Sequence, residues 1–315
     1  MKHRLIGIVI TIFIVYCIVF PRQMALDVVS GLSLWYRNVL PTLLPFSILS
    51  YIIIQSNLYH AIFSKLNHSF CRNSKLNANL LYPFIFGYLF GFPIGAKLMA
   101  DLYETGKITN HRLSEYTALC TQFGPAFIIN YIGHAQLQDQ IPSAWLLFSI
   151  YGPPFVLFVL TSMKDSLFVS DGKQTLLLQQ KEPASRSYIN FKIIDTGIIN
   201  GFETMLRIAG YIVLFSILSN GLTQLSEQHG ILSLIVTGLL EVTTGVNQLV
   251  LAKLPIRVVF SAICGLVSFG GLCGLFQVKA IMKHCPFVTA TYVKTKLLCA
   301  TLSVGIAILC TYIMK

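Results

Sequence analysis

Apolar runs long enough to cross a bilayer recur along this chain, and they constrain its fold more than any other feature. Residues 142–163 carry no charged side chain, and the run 291–314 is uncharged from 297 onward. About 20 apolar residues span the hydrocarbon core as a helix. Further apolar runs lie at 5–20, 39–56, 117–134, 197–222 and 257–278. Apolar residues make up 55% of the chain and charged residues 11%, where a soluble domain carries about 25% charge. The expected class is an all-α polytopic membrane protein with about seven full spans.

Lys and Arg total 23 against 12 Asp and Glu. They sit in short stretches between apolar runs, as cytoplasmic loops do under the positive-inside rule. No basic run reaches the density of a nucleic-acid site, so nucleic acid is not an expected partner. None of the eight cysteines forms C-x-x-C, and the seven histidines show no ligand spacing, so no metal site is expected. P-loop, G-x-G-x-x-G, G-x-S-x-G and H-E-x-x-H signatures are absent from the sequence, and no enzyme activity is expected.

Two apolar segments are interrupted. Residues 80–110 contain Gly87, Gly91, Pro93 and Gly95, and residues 230–252 contain Gly238, Glu241, Thr243, Thr244 and Gly245. If 80–110 crosses once, the basic linker 164–195 and the basic loop 57–79 fall on opposite sides. If both interrupted segments are re-entrant hairpins, every basic stretch is cytoplasmic, including 279–296, and the N-terminus is inside. Residues 25–38, with Trp35, Tyr36 and Arg37, read as an interfacial helix.

The same layout yields two units of opposite topology, each a span, a hairpin and a span. Phe46-Ser47-Ile48-Leu49-Ser50 recurs as Phe215-Ser216-Ile217-Leu218-Ser219, and Phe123-Gly124 as Phe269-Gly270. The expected organisation is an N-terminal helix (1–24), a first unit (25–134), a connecting helix and cytoplasmic linker (135–196), a second, inverted unit (197–278) and a C-terminal helix (279–315). Inverted repeats with broken segments at corresponding positions point to secondary transporters. Lipid cannot satisfy free backbone groups, so broken helix survives only where it lines a cavity or is buried in protein.

Charges inside apolar segments need a reason. Glu203 and Arg207, four apart, can pair on one helix face, or Arg207 can meet an anionic substrate. Lys97 either snorkels to the interface or stands at the first hairpin tip as an anion partner. Glu241 has no basic neighbour in sequence. It suits proton coupling or hydrogen bonding to a solute, and with Thr243 and Thr244 it offers oxygens to Na+. Gln122 with Gly124-Pro125, and Ser268 with Gly270-Gly271, begin or break the third helix of each unit, or else pack helices. Gly95 and Pro93 shape the first hairpin, and Asn247 and Gln277 are weaker polar candidates.

At these motifs the chain resembles the YlbJ (SpoVV) family of sporulation integral membrane proteins. The resemblance is carried by Leu34-Trp35 through Val39-Leu40-Pro41-Thr42-Leu43-Leu44-Pro45-Phe46. It continues in Gly91-Phe92-Pro93-Ile94-Gly95-Ala96-Lys97, in Tyr103-Glu104-Thr105-Gly106-Lys107-Ile108 and in Gly238 to Gly245. The family groups with nucleoside-recognition, or Gate, proteins similar to the cores of concentrative nucleoside transporters. The resemblance implies a carrier in the bacterial cell membrane and, in spore formers, dipicolinic acid as its solute. The implied partners are a small solute and the bilayer, with a homo-oligomer compatible. H+ or Na+ is the candidate coupling ion, with no other cofactor. A membrane scaffold and a nucleoside carrier are the alternatives.

Overall fold

A computed structural model describes residues 2–56, 58, 78–168, 189–225 and 231–313. The basic loop 57–79, the centre of the linker 164–195 and the connection 223–229 lie largely outside the described residues. Among the described residues the structure is helical, with no strand.

Helix α1 (Lys2–Val19) meets α2 (Pro21–Leu34) at a bend of 109° at Phe20. Proline at the first helical position needs no N–H partner, so α2 can start there at an abrupt angle. Helix α2 runs through a π turn (Trp35–Val39) into α3 (Leu40–Gln55). Pro41 has no N–H to offer the Arg37 carbonyl, and a widened turn next to it accommodates that loss. The Trp35 indole N–H donates to the Met205 carbonyl at 3.0 Å, pinning this turn to α9 (Phe191–Leu225). Gly197 and Gly201 of α9 lie against Leu44, Ile48 and Ile52 of α3. Small residues of this kind let helices approach closely where burial alone gives no drive.

The first interrupted segment folds as two packed helices, α4 (Ala78–Phe90) and α5 (Ile94–Glu104). Gly91 has φ +84°, a left-handed conformation that glycine adopts without penalty, and it turns the chain between them. The base is closed by the Asn79 side-chain amide, which donates to the Lys107 carbonyl at 2.9 Å. The second interrupted segment gives α10 (Ile231–Leu240) and α11 (Val242–Leu251), broken at Glu241 and packed through Gly238 on Gly245.

The expected span 117–134 is not continuous. Helix α6 (Leu113–Cys120) ends, residues 121–124 are non-helical, and the chain resumes as the π-helical α7 (Phe127–Gln136). Thr121 already has ψ 90° and Pro125 follows four residues later, so an α-helix cannot run through. The run 257–278 breaks similarly into α12 (Ile256–Phe269) and α13 (Gly271–Ile281), with Gly270 left-handed at φ +88°. Helices α8 (Ser143–Phe168) and α14 (Thr289–Ile313) are long and unbroken.

Among the described residues, four helical segments are long and apolar enough to cross a membrane, or five if the bent α1–α2 pair is one span, against the expected seven. Helix α3 is short, its apolar stretch covering only Leu43–Gln55, and the 117–134 run is split at its break.

Candidate functional site

Four helix breaks converge on one cavity of about 550 Å3. The first hairpin tip contributes Gly91 and Phe92, and the α6–α7 break contributes Phe123 and Gly124. The second hairpin tip contributes Glu241, Val242 and Thr243, and the α12–α13 break contributes Gly270. The breaks touch in pairs. A methyl group built at Gly91 would lie 2.4 Å from the Gly124 nitrogen, and one at Gly271 would lie 3.2 Å from Val242. Phe92 links the two halves, with its ring 5.6 Å from that of Phe123 and against Gly274 of α13.

Glu241 ends α10 in extended backbone and caps the N-terminus of α11. One oxygen accepts the Thr243 N–H at 3.0 Å. The other accepts the Thr244 N–H at 2.6 Å, the Thr244 hydroxyl at 2.8 Å and the Thr243 hydroxyl. A helix N-terminus favours negative charge, so this carboxylate needs no basic partner. Glu241 is 7% exposed, and its open edge faces the cavity. Glu241→Ala is expected to cost about 1–2 kcal/mol as a lost cap, with Glu241→Gln intermediate, read by denaturation in mixed micelles.

The walls are aromatic: Phe46, Phe90, Phe92, Phe123, Phe127 and Tyr131. Phe123, Phe127 and Tyr131 stack in sequence at 4.7 and 5.0 Å. The Tyr131 hydroxyl donates to the Thr243 carbonyl at 3.1 Å, joining α7 to the second tip. Gln277 lines the cavity, as does Arg37, the one basic side chain among the described lining residues.

The structure therefore brings together Glu241, Thr243 and Gln277, with Thr244 beside them as a partner of the carboxylate. The other candidates stand elsewhere. Lys97 is not at the hairpin tip but along α5, 4% exposed, donating to the Asn200 side chain and 3.6 Å from Asp101. Pro93 starts α5 after a cis peptide bond. Gly95 packs on the end of α6: a methyl group there would lie 2.0 Å from the Cys120 carbonyl oxygen. Arg207 pairs with Glu203 on an exposed face of α9. Asn247 is exposed, and Ser268 bonds Ser303 at 3.0 Å. Gln122 is buried and accepts from Lys296.

Three functional-looking residues were not singled out by sequence. Arg37 was hidden in a segment read as interfacial. Lys296 falls in a stretch that reads as basic and cytoplasmic, yet it is 2% exposed. Asp27 of α2 is 3% exposed and accepts from Gln23 and Asn220, each at 3.1 Å, and from Tyr16. A lone Asp in an apolar run was its only signal.

These helices and this cavity define a polytopic integral membrane protein. The chain is similar to the sporulation integral membrane protein YlbJ of Bacillus subtilis (strain 168), with 25% identity over 236 residues. The match covers 67% of this chain and 54% of that protein, so the chain spans about half the length of that relative. This supports the resemblance read from the motifs. No family model and no solved structure matches the chain.

Proposed function

We propose that the protein is a secondary carrier of a small anionic solute, with the cavity as its solute site. The observation that carries this reading is the convergence of two hairpin tips and two broken helices on one cavity that also holds Arg37. Broken helices at a shared central site, in two units of inverted topology, are the pattern of alternating-access carriers. In this reading the two hairpins are re-entrant, the basic stretches and the N-terminus are cytoplasmic, and one unit rocks against the other.

The guanidinium of Arg37 would receive the anionic group, and the aromatic walls would hold an apolar body. Dipicolinate fits that description, and the likeness to a sporulation protein favours it as the first solute to test. A nucleoside would use the aromatic walls without needing Arg37. H+ or Na+ remains the coupling ion in this proposal, and the arrangement calls for no chemical reaction.

The test is flux of labelled dipicolinate in proteoliposomes. Arg37→Gln should reduce flux by roughly ten- to a hundredfold, the equivalent of one lost charge-assisted hydrogen bond. Arg207→Gln, outside the cavity, should leave flux near wild type. A folded protein that moves neither dipicolinate, other carboxylates nor nucleosides would overturn the carrier reading in favour of a membrane scaffold.

A further inference from the structure

Helix α14 buries one stripe along its length: Tyr292, Lys296, Cys299, Ser303, Ala307 and Cys310. Two polar residues on that stripe, Lys296 and Ser303, are two helical turns apart. Each bonds the end of one broken helix. The Ser303 hydroxyl meets Ser268, two residues before the Gly270 break. The Lys296 ammonium donates to the Thr121 carbonyl and, at 3.3 Å, to the Gln122 side-chain oxygen, at the start of the other break.

Lys296 is a buried cation, and among the described residues no carboxylate pairs with it. The groups around it are the thiols of Cys120 on α6 and Cys299 on its own helix. Its partners are instead oxygens at the C-terminal end of α6, where carbonyls lack intrahelical donors and the helix dipole is negative. Unwound carbonyls at a helix C-terminus are where carriers coordinate monovalent cations. Gln122 is turned the same way. Its amide nitrogen donates to the Ala118 carbonyl at 3.1 Å, which leaves its oxygen for the ammonium.

We infer that Lys296 is a resident substitute for a monovalent cation at the α6–α7 break, so that this break holds its shape without an ion from solution. One consequence concerns coupling: an external cation would have to act elsewhere, and the Glu241 tip is the open alternative. A second concerns geometry: through Lys296 and Ser303, α14 bonds one broken helix of each unit.

The test is hydrogen–deuterium exchange of the segment around 118–127 in purified full-length protein, with Na+, ammonium or N-methyl-D-glucamine as the only cation. Wild type and Lys296→Arg should exchange alike in all three. Lys296→Ala should exchange at least about tenfold faster in N-methyl-D-glucamine, as removal of a charge-assisted hydrogen bond implies, and recover in Na+ or ammonium. Lys296→Met, which fills the space without charge, should be fast in all three. Protection of Lys296→Met or Lys296→Ala equal to wild type in N-methyl-D-glucamine would overturn the proposal. So would a loss in Lys296→Ala that neither small cation reverses. The Met variant decides the matter if the Ala variant does not accumulate. Because exchange rather than flux is read, the result is independent of which solute is carried.

Discussion

Gly95→Ala is expected to remove most folded protein from the membrane. A methyl group at this position would lie 2.0 Å from the Cys120 carbonyl oxygen and 2.6 Å from its carbon. Both atoms are backbone at the end of α6, so no side-chain rotation can relieve the clash. Gly87, on the other arm of the hairpin, faces the same oxygen at 2.0 Å. The end of α6 is therefore seated between two glycines, and adding bulk pushes the break away from the hairpin that supports it. Overpacking that shifts the backbone costs about 1–3 kcal/mol, and this contact with two fixed backbone atoms belongs at the upper end. The measurement is monodisperse yield and melting temperature after detergent extraction. Gly305→Ala on α14, where nothing lies within 4 Å, is the control and should be neutral. A Gly95→Ala protein that melts like wild type would show that the hairpin does not clasp α6.

Lys97→Met is expected to destabilise by about 3–5 kcal/mol, because it strands a buried carboxylate. Lys97 and Asp101 are both buried and 3.6 Å apart on successive turns of α5. Lys97 also holds the Asn200 side chain of α9, so it joins the first hairpin to that helix. The effect should be structural rather than specific to solute, since neither side chain lines the cavity. The double variant Lys97→Met/Asp101→Leu should recover most of the loss, because replacing both members of a buried pair with apolar groups is often neutral. Melting curves of both single variants and the double variant form the cycle. Equal losses in Lys97→Met and the double variant would mean that Asp101 is not what the lysine neutralises.

The broad plan was legible because glycine, proline and a lone carboxylate are conspicuous inside apolar runs. Gly91 and Pro93 marked the first break, Glu241 the second, and Gly124-Pro125 and Gly270-Gly271 the other two. All four do interrupt helices in the structure. What sequence could not supply was the direction in which each side chain points. Lys97 follows the first break by four residues, and only the folded structure shows that it reaches the Asn200 side chain of α9. Lys296 and Lys294 look alike in a basic stretch, although only Lys296 lies on the buried stripe of α14. Arg37 owes its place to a π turn, for which the sequence offers Pro41 but no clear period. Fewer spans pass among the described residues for a related reason: hydropathy registers apolar length and overlooks the chain's unwinding at 121–124.

The most direct test of the proposed solute site is equilibrium binding of labelled dipicolinate to the purified protein, compared between wild type, Arg37→Gln and Arg207→Gln. The expected result is saturable binding that weakens at least about tenfold in Arg37→Gln and is unchanged in Arg207→Gln. Binding of equal strength in wild type and Arg37→Gln would contradict the placement of the anion in this cavity. No saturable binding of dipicolinate, other carboxylates or nucleosides by folded protein would contradict the carrier itself.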